Sequence, residues 1–117
     1  MKTLGINGEN LAVTFLKKEK GYRIIARNYK TYIGEIDIIA QDGNTMVFIE
    51  VKTRADELFG QPFEAVNKKK QHKMKNVALL YMKKYERNFP ARFDVVSIFY
   101  RANGMKEIEH IIDAFEV

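Results

Sequence analysis

The segment GEIDIIAQDGNTMVFIEVKTR, residues 34–54, decides how the chain folds. Gly34–Ala40 and Thr45–Arg54 are both rich in strand-forming residues, and Asp42-Gly43-Asn44 separates them. Asp-Gly between two such runs is a strong hairpin signal, because glycine supplies the positive φ that a tight turn demands. Side chains alternate across a strand. Glu35, Asp37 and Ile39 therefore share one face of the first strand, and Ile36, Ile38 and Ala40 share the other. On the second strand Phe48, Glu50, Lys52 and Arg54 share a face, with Val47, Ile49 and Val51 opposite. If Asp42–Thr45 is a four-residue loop, Asp37 lies across from Glu50 and Glu35 across from Lys52. If Asp42-Gly43 alone is the loop, Asp37 and Glu50 are near neighbours on the same face. Both registers leave two carboxylates on one surface and an aliphatic surface behind them.

Carboxylates placed side by side on a sheet repel and raise one another's pKa. A divalent cation removes both penalties by taking them as ligands. Lys52, two residues beyond Glu50, points the same way. Two oxygens for a metal beside one ammonium group is the set that metal-assisted phosphodiester hydrolysis uses. The competing reading is a solvent-facing, charged sheet surface with incidental pairs such as Glu35 with Lys52.

Working outward, the first helix is expected from about Thr3 to Lys20, with Leu4, Gly8, Leu11, Ala12, Phe15 and Leu16 at helical spacing and Gly21 as its stop. Glu9 falls at the edge of that stripe, where a carboxylate can reach the sheet. Tyr22–Asn28 reads as a strand. After the hairpin, a loop is expected from Ala55 to Pro62 and a second helix from about Phe63 to Tyr85, with Val66, Met74, Val77, Ala78 and Tyr81 on one face. Arg92–Tyr100 and Met105–Asp113 read as two more strands, joined at Ala102-Asn103-Gly104. The order is helix, three strands, helix, two strands, which makes a mixed five-stranded sheet flanked by helices, an α/β fold.

The chain has 117 residues, enough for one domain spanning 1–117. It has no cysteine and two histidines, so a metal would be held by oxygen, which points to magnesium or manganese. The lack of cysteine suits a cytoplasmic location, and no apolar run approaches the ~18 residues that span a bilayer, so no membrane partner is expected. The net charge is +5 and the pI about 9.4, with lysines clustered at 17–20, 68–75 and 83–84. Nucleic acid is the natural partner of such a surface, and solvated helix faces are the bland alternative. Lys68, Lys69 and Lys73 are expected to face phosphates. Lys70, between Val66 and Met74 on the apolar stripe, is expected to approach either the catalytic face or a phosphate. Arg54, on the same strand face beyond Lys52, is expected to be a further phosphate contact. Asp94 reads as structural, paired with Arg92; His72 reads as exposed, and His110 has no spacing partner and no assigned role.

Asp37, twelve intervening residues and then Glu50-Val51-Lys52, with a glutamate on the preceding helix, resembles the core of the PD-(D/E)XK nucleases. More closely, G-E-I-D-I-I-A, F-I-E-V-K-T-R, F-G-Q-P-F-E-A-V and R-F-D-V-V resemble the YraN-like family of bacterial proteins, which is similar to archaeal Holliday junction resolvases. The resemblance runs from Gly8 to about Ile98. It implies a restriction-endonuclease-like core and a magnesium- or manganese-dependent endonuclease acting on structured or branched DNA. By that resemblance Asp37 and Glu50 are metal ligands, the Val51 carbonyl adds an oxygen, Lys52 is the catalytic lysine, and Glu9 assists at the metal. Junction-cutting relatives act as two-fold dimers, so a homodimer is implied as well. The alternatives carried forward are a nucleic-acid-binding module that keeps the fold without cleaving, and a subunit of a repair complex.

Overall fold

The computed structural model describes residues 2–54 and 66–116, with side chains from residue 8 onward. Helix α1 spans Lys2–Lys18. Strands β1 (Arg23–Lys30), β2 (Glu35–Asp42) and β3 (Thr45–Arg54) follow. Helix α2 spans Lys68–Lys84, and β4 (Ala91–Tyr100) and β5 (Lys106–Ile111) close the chain. The strands form one sheet in sequence order. β1 pairs β2, β2 pairs β3 and β4 pairs β5 antiparallel, whereas β3 pairs β4 in parallel. A parallel pair cannot be joined by a tight turn, so α2 serves as the crossover. This is the mixed α/β arrangement and element order expected of a compact nuclease-like core.

The hairpin register runs from Asp42↔Thr45 to Ile38↔Ile49. Gly43 and Asn44 form its tip, and Gly43 has φ 60°, the positive value a II′ turn places at its first central residue. The rungs agree with the first of the two registers above. Both sheet faces are covered. Ile38, Ala40, Val47, Ile49, Val96 and Ile98 pack with Ala12, Leu16 and Tyr22 on the α1 side. Ile39, Met46, Phe48, Phe93 and Val95 pack with Met74, Val77, Ala78 and Tyr81 on the α2 side. The face carrying Glu50 is thus a second core rather than an exposed charged surface.

Three expectations need correction. Ile36 packs on the α2 side, away from Ile38 and Ala40. The β2–β3 ladder ends at Ile38↔Ile49. Beyond that rung the backbone of β2 pairs with β1 and no longer with β3. Helix α2 starts at Lys68 because Asn67 caps it, its side chain accepting from the Lys70 amide at 2.9 Å. Val66 therefore precedes the helix, while still packing in the α2-side core; the expected helix start at Phe63 and the Ala55–Pro62 loop lie outside the described residues. Helix α1 ends at Lys18, and Gly21 (φ 69°) turns the chain so that the Tyr22 amide donates to the Leu16 carbonyl at 2.9 Å.

A polar staple crosses the α1-side core. Asp94 is fully buried, as expected of a structural acid, and accepts from Arg92 at 2.9 and 3.1 Å and from the Asp113 amide at 2.9 Å. Arg92 also donates to the Tyr22 hydroxyl at 2.6 Å and to Asp42 at 3.1 Å. His110, left without a role by its spacing, completes the set at 2.8 Å from Asp94. Burial works to raise the Asp94 pKa, but hydrogen bonds from His110, Arg92 and the Asp113 amide outweigh it and hold the carboxyl below its ordinary range.

Candidate active site

The site forms where the β2–β3 ladder ends. Extending the register one rung past Ile38↔Ile49 sets Asp37 against Glu50. There the Asp37 side chain takes over the pairing: its Oδ2 accepts from the Val51 amide at 2.8 Å. This ties the first acid to the strand that carries the second. Glu50 is only 4% exposed and lies in register with Val95 on β4. Its Oε2 is 3.3 Å from Lys52 Nζ and 3.6 Å from Lys70 Nζ. Its Oε1 is buried and has no hydrogen-bond partner among the described residues.

The electrostatics follow from this packing. Burial first, and then the charge of Glu50, push the Asp37 pKa from 3.8 up to about 7, against the lowering effect of the Val51 amide. Glu9 on α1 adds to the rise. Its own carboxylate lies 3.7 Å from Arg27, and Arg27 in turn donates to Asn10 at 2.8 Å. Helix α1 comes close at this point because residue 8 is glycine; a Cβ there would run into the Thr53 methyl group. Among the described residues, no three His, Cys, Asp or Glu side chains converge closely enough to form a metal-ligand group. The structure therefore brings together Asp37, Glu50, Lys52 and Lys70, with Glu9 beside them on Arg27.

The other expected contacts lie further out. Lys68, Lys69 and Lys73 are exposed along the start of α2, and His72 is exposed among them. Arg54 is half-buried two residues beyond Lys52, in register with Phe99, and its Nε has no partner among the described residues. Val51 is in register with Val96.

The sequence profile of the uncharacterised protein family UPF0102 matches residues 8–98. The chain belongs to this family. A UPF0102 protein of Geotalea uraniireducens is 50% identical over 117 residues, covering 99% of this chain and 91% of the relative. Another from Thermodesulfovibrio yellowstonii is 48% identical over 112 residues, covering 96% and 95%. A third, from Syntrophomonas wolfei, is 46% identical over 115 residues, covering 97% and 98%. This is the YraN-like family that the motifs resemble.

In this UPF0102 chain the matched span contains Glu9, Asp37, Glu50, Lys52 and Lys70, and leaves out β5 with His110. The centre suits a hard divalent ion on chemical grounds. Its donors are carboxylate oxygens, one of which (Glu50 Oε1) is buried without a partner among the described residues, and the Glu50 charge still raises the Asp37 carboxyl. Two contributors escaped the sequence reading. Arg27 pairs with Glu9, and nothing in its spacing signals this. Ser97 is fully buried beside Lys52 in the β3–β4 register, with its Oγ unpartnered among the described residues. Its signal was available: a serine in phase with Phe93, Val95 and Phe99 occupies a core position on an otherwise apolar strand face.

Proposed function

We propose that this chain is a metal-dependent endonuclease of the PD-(D/E)XK kind that hydrolyses phosphodiester bonds in structured or branched DNA. The observation that carries this reading is half-buried Asp37 tied to the strand of buried Glu50, with the Lys52 ammonium 3.3 Å from Glu50. A magnesium or manganese ion held by Asp37, Glu50 and the Val51 carbonyl would polarise the phosphate and acidify a bound water. The chain's own groups do the rest. Asp37 must shed a proton held near pH 7 before it can act as an anionic ligand, so ion loading favours neutral to alkaline pH. The Val51 amide orients Asp37. Lys52 neutralises charge that accumulates on the phosphate as the new bond forms. By the resemblance, Glu9, which lies 3.7 Å from Arg27, would accept a hydrogen bond from an ion-bound water. Lys68, Lys69 and Lys73 supply sequence-independent contacts to flanking phosphates. The preference for branched DNA comes from the resemblance to junction resolvases.

The test is cleavage of labelled four-way junction, flap and single-stranded DNA with magnesium or manganese, comparing wild type with Asp37→Ala and Lys52→Ala. Loss of about 10²-fold or more in both variants is expected. Absence of cleavage by wild type on every substrate, or activity that survives Asp37→Ala, defeats the proposal. One observation favours the second reading, a nucleic-acid-binding module without turnover: no third acidic or histidine ligand joins the pair among the described residues. That reading predicts unchanged DNA affinity in Asp37→Ala and no thermal stabilisation by divalent ions.

A further inference from the structure

Glu50 Oε2 serves two ammonium groups at once. Lys52 comes from the same strand at 3.3 Å, and Lys70 comes from α2 at 3.6 Å. The glutamate side chain is 6% exposed, while the two lysines are 28% and 33% exposed, so each cation reaches both the buried acid and solvent. Lys70 is the third residue of α2, and the first turn of that helix holds Lys68, Lys69 and Lys70 with no acidic residue. That composition opposes the helix dipole, whose positive end favours anions. Only Lys70 of the three finds a carboxylate among the described residues. Helix α2 thus brings the Lys70 ammonium group to the mouth of the site, where a phosphate oxygen would satisfy it.

The charge count determines what a divalent ion does here. With both acids ionised, Asp37 and Glu50 cancel Lys52 and Lys70. An ion bound to the acids leaves two positive charges uncompensated. It also repels the ammonium groups from the oxygen they share. Lys52, on the sheet, would remain beside the ion, whereas Lys70, carried on the helix end, would turn to an anion outside. We propose that Lys70 is a second phosphate-binding cation of this centre, kept in reserve on Glu50 until a divalent ion displaces it, so that ion and nucleic acid bind cooperatively. The inference rests on the metal site of the proposed function, and needs no turnover.

Coupling of this kind is reciprocal and is read from binding alone. Calcium binding is measured by calorimetry without DNA, and binding of a fluorescent four-way junction by anisotropy with and without calcium. Wild type should bind the junction about fivefold or more tightly when calcium is present. Lys70→Gln should bind calcium about two- to fivefold more tightly, because a competing ammonium has gone, yet lose most of the calcium-dependent gain in DNA affinity. Lys70→Arg should retain both properties, which guards against a general folding effect. Lys69→Gln should weaken DNA binding equally with and without calcium. Unchanged or weaker calcium binding in Lys70→Gln, or an undiminished calcium-dependent gain, overturns the inference and leaves the metal site standing. If wild type binds no divalent ion, the inference and the metal reading fall together. Coupled binding without cleavage upholds the inference and refutes the enzyme alone.

Discussion

Replacing Asp37 with asparagine should stabilise the metal-free protein at pH 8. The side chain keeps its shape and can still accept from the Val51 amide, but the charge beside Glu50 disappears. Asp37 is raised from 3.8 to about 7, first by burial and then by the Glu50 carboxylate. A raised carboxyl means that the folded chain binds the proton more tightly than the unfolded chain. The resulting stability is fully present below pH 3.8 and is lost as pH rises through 7. At about 1.36 kcal/mol per unit, the part lost between pH 5 and pH 8 is roughly 2–3 kcal/mol. In a domain of this size that corresponds to about 10 °C in Tm. Thermal unfolding with a chelator, at pH 5 and pH 8, measures it directly. Wild type should lose about that much relative to Asp37→Asn, and magnesium at pH 8 should restore wild type alone. The proton belongs to the pair, so Glu50→Gln should flatten the same pH dependence. A wild-type to Asp37→Asn difference that does not move with pH, or an Asp37→Asn variant less stable than wild type at pH 8, refutes the reasoning.

Gly8→Ala should cost about 1–3 kcal/mol, because the new Cβ meets the Thr53 methyl group and drives α1 off the sheet. Urea unfolding of Gly8→Ala together with Thr53→Ser, which removes that methyl, should recover most of the loss, and simple additivity would contradict the contact. Asp94→Ala should cost about 3–5 kcal/mol, since it leaves the half-buried Arg92 and the covered His110 ring without their shared acid. A denaturant midpoint within experimental error of wild type would show that the staple contributes nothing.

The element order and the acid pair were legible because both depend on local periodicity. Alternation in residues 34–54 put Asp37 and Glu50 on one side, and the Asp-Gly turn restricted the register to few choices. The helical phase of Lys70 between Val66 and Met74 likewise pointed it at the sheet, where it meets Glu50. What escaped depends on how distant segments pack. Ile36 left its expected face because the ladder stops one rung before the acids, and a stopping point has no signature in a single strand. The pairing of Arg27 with Glu9 and of His110 with Asp94 needs the docking of α1 and β5, which spacing along one element cannot supply. The α2 start was displaced toward its C-terminal end because the Asn67 cap outweighed the apolar phase of Val66.

The spacing of two hydrogen bonds carries a consequence for the order of assembly. The Asp37–Val51 contact closes a loop of 14 residues, whereas the Arg92–Tyr22 contact joins groups 70 residues apart. The fivefold longer loop costs about 1.4 kcal/mol more chain entropy to close. A nascent chain that has emerged only through β3 already contains both acids of the centre, Asp37 on β2 and Glu50 on β3. Arg92, Asp94 and His110 come later, and their contacts tie β4 and β5 to the segments made first.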